Sequence, residues 1–522
     1  MASIHTRFHR KPSGSLRNIA MTCRGNPISE DELYKYTNGH FLINEQHQCQ
    51  QRYVKFDISQ LCGVAAVAGD SEAPIIAIEK MEGGFCKALL MKKSDGTEVV
   101  AKIPSKLAGP PKYSTTPEVA TLKYVQQHAT IPVPRELAWN CDSANDVGSE
   151  YIIMKAPGVQ LYKKWGDMNG TAKLALIRHL VKLEAQLAFI HFPVSGSLYL
   201  RDSAGDTGEC RPLCLNIDPS QSYCIGPSAD RSWCIQSHMG TLKPEFSKGP
   251  WSSLSDYGVN LAKRERFRLS CEQRTNDRPY RRRSANEEIA DLEASTRIIE
   301  LLRHKKLTSL SKPILWHTDL LLGNIYVSEE ELSHIVSIID WQFISIGPLF
   351  MQATWPEFLK PSYEYVCGAV QPQLPDNFEQ LDVAKKKYAA STRDDATITK
   401  SYELRHFLHN RDVYYSINLP SVFREIFVRC GEAGEEGTIG LRACLAELYQ
   451  SWTELLRTEQ EFQEYRDWHD VQEFARSYLD TDADGWISPE FDVAEIQQRD
   501  KTAFERYMKE RSKRNCPHTT PE

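Results

Sequence analysis

An aspartate at 319, an asparagine at 324 and a second aspartate at 340 stand in the stretch WHTDLLLGNIYVSEEELSHIVSIIDWQ, residues 316–342. These residue types have separate uses in phosphoryl transfer. One carboxylate orients and deprotonates an attacking hydroxyl. An amide oxygen and a second carboxylate hold Mg²⁺ against nucleotide phosphates. The spacing of Asp319, Asn324 and Asp340 suits those jobs. Asp319 and Asn324 would then close the two ends of one short loop, anchored in the core by Leu320, Leu321 and Leu322. Residues 325–327 read as a strand and 337–339 as its hairpin partner, which returns Asp340 to the same mouth.

Such a site needs a second wall to hold the nucleotide. Residues 75–104 supply short β segments, PIIAIEK, CKALLMKK and TEVVAKIP, the last two separated by Ser94-Asp95-Gly96, a hairpin turn signal. Gly83 and Gly84 lie between the first two, where backbone N–H groups can approach a phosphate without Cβ obstruction. Taken alone, the same pair also fits an ordinary hairpin. Lys102 sits in an otherwise apolar strand, where an ammonium is costly unless paired. Glu118 is its expected partner. Thr116-Pro117-Glu118 reads as a helix start, with Val119, Leu122 and Val125 following at helical spacing.

Composition bounds the rest. The chain has 522 residues, 41% hydrophobic and 25% charged, which is enough for a large core and more than one domain. A net charge of −6 gives no case for nucleic acid. No run reaches the roughly 18 apolar residues of a membrane span. The 14 cysteines show no framework spacing, and neither a disulfide scaffold nor a zinc site is assigned among Cys210, Cys214, Cys224 and Cys234. Residues 1–29 carry five arginines and lysines and no acid, the composition of a mitochondrial presequence, so folding is expected to begin near Tyr36. Leu176, Leu180, Leu183, Leu187 and Ile190 mark a long amphipathic helix, taken as core and given no chemistry. Residues 192–250 are loop-rich, with SLYL and SYCIG as strands, and arginines between 274 and 283 read as a solvated connector. FISIGPLFMQATWPEFL after Asp340 should pack under the metal site, and Trp341, Trp355, Tyr363 and Tyr365 are candidate lining aromatics. Residues 480–485 resemble half a calcium loop, but Phe491 stands where the bidentate glutamate belongs, so a turn is expected.

His317-x-Asp319-x₄-Asn324 followed by Ile338-Ile339-Asp340-Trp341 resembles the catalytic core of the aminoglycoside phosphotransferase family, whose protein-kinase counterparts are the H-R-D-x₄-N loop and D-F-G. The resemblance covers roughly residues 50–480. It implies a bilobal, protein-kinase-like α+β fold and cofactors ATP and Mg²⁺. Asp319 would be the base, Asn324 and Asp340 metal ligands, and His317 a structural support of the loop. Lys102 and Glu118 would position the α- and β-phosphates under Gly83 and Gly84. Adenine would be held by hinge backbone at Met154, Lys155 and Ala156; many relatives carry an acid in place of Lys155, a change backbone recognition should tolerate.

Phe41-Leu42, residues 52–57 (RYVKFD) and residues 223–228 (YCIGPS) further resemble the fungal altered inheritance of mitochondria protein nine branch. That likeness also favours a mitochondrial location over a cytoplasmic one. The expected division is 1–35 basic tail, 37–155 extension and nucleotide lobe, 156–480 catalytic and acceptor lobe, 481–522 charged helical tail. The expected reaction moves the γ-phosphoryl group of ATP to a hydroxyl of a small molecule. A nucleotide-binding scaffold without turnover, or AMP transfer on the same fold, are the alternatives. The acceptor and the oligomeric state are not written in the sequence.

Overall fold

The computed structural model describes residues 19–204, 209–234, 245–275, 284–302, 305–362 and 364–448. The first eighteen residues of the basic N-terminus, most of the arginine cluster, Tyr363, the 480–485 turn and the charged C-terminal tail lie outside the described residues.

The first lobe is a seven-stranded sheet in the order β2-β1-β3-β4-β5-β7-β6. Its strands are β1 (Ala20–Cys23), β2 (Asn26–Pro27), β3 (Ile75–Glu82), β4 (Cys86–Lys93), β5 (Glu98–Pro104), β6 (Arg135–Asn140) and β7 (Tyr151–Lys155). Alternation in β3, β4 and β5 turns Ile78, Leu89, Met91, Ala101 and Ile103 inward, each fully buried. They meet Leu33 of α1 (Glu30–Tyr34), Phe56, and Leu61 and Ala65 of α3 (Ile58–Val67); the intervening α2 (Glu45–Gln51) has no buried residue.

Folding begins earlier than Tyr36. β1 runs parallel to β3, and α1 lies in the core of the lobe. Three inward-facing lysines explain the docking. Lys80 Nζ donates to the carbonyls of Glu32 and Lys35 at 2.7 Å. Lys87 Nζ reaches Lys35 O at 2.8 Å, and Lys93 Nζ reaches the carbonyls of Ala68 and Ser71 at 2.7 Å. An ammonium has three donors and no acceptor, so it suits carbonyls left over at helix ends. The extension is thus clamped to the sheet by backbone acceptors, with Glu82 ion-paired to Lys80 and Lys87.

The helix carrying Glu118, α4 (Pro111–His128), begins before Thr116. Pro111 takes the first helical position, where a missing N–H costs nothing, and Pro117 falls inside the helix. The second lobe follows β8 (Val159–Gln160). Its long helices are α5 (Gly170–Phe189), α6 (Leu254–Thr275), α7 (Ala285–Leu301), α10 (Val383–His409) and α12 (Val422–Glu436), joined by the short α8 (Lys305–Ser309), α9 (Leu349–Gln352) and α11 (Arg411–Ile417). Leu176, Ile177, Leu180, Leu183 and Leu187 of α5 are buried, each side chain worth about 1.5–3 kcal/mol.

The middle segment forms β9 (Ser197–Leu200), β10 (Arg211–Pro212) and β11 (Tyr223–Gly226), and docks on α4. Tyr223 Oη donates to Gln127 at 2.7 Å and Tyr124 Oη to Ile217 O at 3.0 Å. β12 (Pro313–Leu315) pairs with β15 (Ile346–Pro348), and β13 (Ile325–Val327) lies between β14 (Ile335–Ile338) and β8. The architecture is a sheet-rich first lobe joined to a helical second lobe, the expected α+β arrangement.

Candidate active site

β13 and β14 set the distance between the two expected metal ligands. Ile325 faces Ile338 in register, and Ile339 N donates to Asn324 O at 2.9 Å. Asn324 and Asp340 therefore leave the same end of one hairpin. Asp340 has φ +64°, a left-handed conformation that a non-glycine residue adopts only when its surroundings impose it. The surroundings are on hand. His317 Nε2 bonds Ile339 O at 2.9 Å, and Trp341 Nε1 donates to Ile338 O at 2.8 Å. The imidazole of His317 packs edge-on against the Trp341 ring at 4.8 Å. Burial lowers the His317 pKa, so the proton belongs to the nitrogen facing Ile339 O.

Lys102 joins the lobes. Its Nζ lies 2.7 Å from Glu118 Oε1 and 2.8 Å from Asp340 Oδ1. Burial opposes its charged form, but the two carboxylates outweigh burial and raise its pKa. Burial also raises Glu118, with Lys102 pulling against it. For Asp340 burial pushes up, yet the pull of Lys102 prevails and its pKa is lowered. Lys102 thus favours the ionised form of Asp340.

On the other side of this centre Asp319 is exposed. Asn324 Nδ2 donates to Asp319 O at 2.8 Å and to its Oδ2 at 3.3 Å. With its amide nitrogen so engaged, Asn324 keeps Oδ1 for a cation. Among the described residues no cluster of three His, Cys, Asp or Glu could hold a metal. One amide and one carboxylate fit Mg²⁺ that takes its remaining ligands from phosphates and water. Of the three leucines, Leu320 is buried, whereas Leu321 is 42% exposed and lines the neighbouring cavity.

Gly83 and Gly84 cap the β3–β4 hairpin. A Cβ added at Gly84 would meet nothing within 4 Å, so the space over it is open. Phe85 crosses the cleft to meet Phe343 edge-on at 5.4 Å. At the hinge, Met154 is buried between β5 and β6, and β5 pairing stops there, so Lys155 and Ala156 have no β5 partner. Gly158 packs the hinge onto the catalytic hairpin. Its φ is +86°, and a Cβ there would lie 2.5 Å from Val327 O.

A cavity of about 480 Å³ opens beside Asp319. Residues 354–357 form part of its wall, as expected of the segment after Asp340. Trp355 lines it, whereas Trp341 is core and Tyr365 donates to Glu403 at 2.5 Å. Glu184 and Arg424 line it too, and sequence reasoning missed both. α5 was taken as core alone, yet it carries Glu184 into the cavity. A carboxylate inside the Leu180–Leu187 stripe was the available signal.

The chain belongs to the phosphotransferase enzyme family (APH): the family model matches residues 88–354, more than half of its length. It is similar to a subtelomeric hrmA-associated cluster protein of Aspergillus fumigatus, 25% identical over 461 residues, covering 78% of this chain and 88% of that one. It is also similar to the mitochondrial altered inheritance of mitochondria protein 9 of Candida tropicalis, 24% identical over 445 residues, covering 73% and 70%. Among solved structures, the streptomycin–ATP–APH(2")-IIa ternary complex aligns at 10% identity with a TM-score of 0.37, covering 76% of this chain and 97% of that one.

Proposed function

We propose that the protein is an ATP-dependent kinase of a small hydroxylated molecule, acting in mitochondria. The observation that carries the reading is Lys102 bridging Glu118 and Asp340, with Asp319 across the hairpin at the mouth of a cavity. Lys102 neutralises charge on the nucleotide phosphates, and Glu118 keeps it aimed. Asn324 and Asp340 would hold Mg²⁺, which when bound neutralises charge developing on the phosphoryl oxygens. Asp319 aligns the acceptor hydroxyl and takes its proton. The backbone at Met154, Lys155 and Ala156 receives adenine, and Gly83 and Gly84 cover the phosphates. The mitochondrial part is supported by the name of the Candida relative and by the acid-free N-terminus.

Thermal-shift titration of ATP, with and without Mg²⁺, tests this on wild type, Asp340→Ala and Asp319→Ala. A ligand bound only by the folded state raises apparent stability. Metal-dependent stabilisation is expected in wild type and in Asp319→Ala, and is lost in Asp340→Ala. Absence of any ATP effect in wild type refutes the reading.

A further inference from the structure

The cavity beside Asp319 is lined by a buried carboxylate, Glu184, and a half-buried guanidinium, Arg424. Glu184 reaches it from α5, its side chain 8% exposed. Its partners are Tyr402 Oη and His406 Nε2, each at 3.2 Å, both from α10. Among the described residues no Lys or Arg comes within ion-pairing distance of it; His406 is its one basic neighbour there. Arg424 reaches the cavity from α12. Its guanidinium donates to three backbone carbonyls, Phe350 at 2.9 Å, Ser416 at 3.0 Å and Ala353 at 3.4 Å. Among the described residues no carboxylate pairs with it. The cavity's other charged pair, Lys360 and Glu357, are 3.9 Å apart and largely exposed, so water and each other screen them. Withdrawing an ion from water costs several kcal/mol unless a counter-charge meets it. A ligand carrying both signs would complement this lining.

We infer that the acceptor is a small hydroxylated zwitterion: an ammonium for Glu184, an anionic group such as carboxylate for Arg424, and a hydroxyl for Asp319. The inference rests on the phosphotransferase reading and names the substrate class of that site. Trp355 supplies an apolar wall for the carbon chain. About 480 Å³ accommodates a molecule of amino-acid size or somewhat larger. In the transfer, the acceptor oxygen forms a bond to the γ-phosphorus, and the bond from that phosphorus to the β,γ-bridging oxygen breaks. ADP leaves with the electron pair, and the hydroxyl proton passes to the Asp319 carboxylate.

The test is phosphoryl transfer from γ-labelled ATP to L-serine, L-homoserine and 5-hydroxylysine. Each is compared with the amino alcohol lacking its carboxylate and the hydroxy acid lacking its α-amino group. At least one zwitterion is expected to exceed both truncated partners in kcat/KM by tenfold or more. Glu184→Gln should erase most of the preference over the hydroxy acid, and Arg424→Lys most of the preference over the amino alcohol. Both readouts are ratios, which general structural damage does not move. Equal use of single-charge or neutral alcohols overturns the inference. So does transfer to none of the panel by a protein that binds MgATP. A protein that fails to bind MgATP removes the phosphotransferase reading itself, and this inference falls with it.

Discussion

Replacing Lys102 with methionine keeps the apolar stem and deletes the charge. Glu118, with a side chain 2% exposed, then loses its cation. Removing one partner of a buried ion pair typically costs about 3–5 kcal/mol, because the survivor stays desolvated. Asp340 adds little to that figure, since its side chain is 40% exposed and water screens it. The penalty should depend on pH. Without Lys102, burial and the nearby Asp340 carboxylate both act on Glu118, and its folded pKa moves further above the ordinary 4.5. A raised carboxylate gives stability that is fully present below the unfolded value and is lost as pH rises through the folded one. The deficit of Lys102→Met against wild type should therefore be small near pH 5 and full near pH 8. Urea denaturation of wild type, Lys102→Met, Glu118→Gln and the double variant at both pH values measures it. The double variant should recover most of the Lys102→Met loss, a coupling of about 2–3 kcal/mol. Equal deficits at both pH values, or single-variant losses that simply add, would refute the reasoning.

Two other perturbations follow from the same lobe and hinge. Burial pushes Glu150 up to about 7, partly opposed by hydrogen bonds from Thr115 and Ser114. Its contribution to stability is present below about pH 4.5 and lost as pH rises through about 7. Glu150→Gln should thus leave stability unchanged near pH 5 and raise it by about 2–3 kcal/mol near pH 8, read from urea midpoints. Gly158→Ala drives a Cβ into Val336 Cγ2 and to 2.5 Å from Val327 O, in a left-handed backbone. It should cost about 2–4 kcal/mol and weaken ATP binding, measured together by thermal shift with and without nucleotide.

The nucleotide half of the site is legible because its determinants are local. β4 alternates cleanly, and a lysine inside the apolar β5 demands a partner, so Lys102 and Glu118 could be paired before any fold was known. Asp319, Asn324 and Asp340 hang on one loop and one hairpin. The start of α4 was misread because Pro117 looks like a first-turn proline, while Pro111 occupies that position. The N-terminal boundary was misread because β1 takes its partner from β3, and because three lysines in strands read as surface residues until the carbonyls they cap are known. Glu184 meets Tyr402 and His406 at separations of 218 and 222 residues, and no window of sequence joins them. This asymmetry has a physical source. In the proposed reading, binding the nucleotide would need backbone, one lysine and two metal ligands, all delivered by a hairpin and a strand. In the proposed reading an acceptor would be selected by charges converging from α5 and α12, with α10 holding Glu184, and that packing is long-range. Those helices can therefore change what reaches Asp319 while the motif around it stays the same.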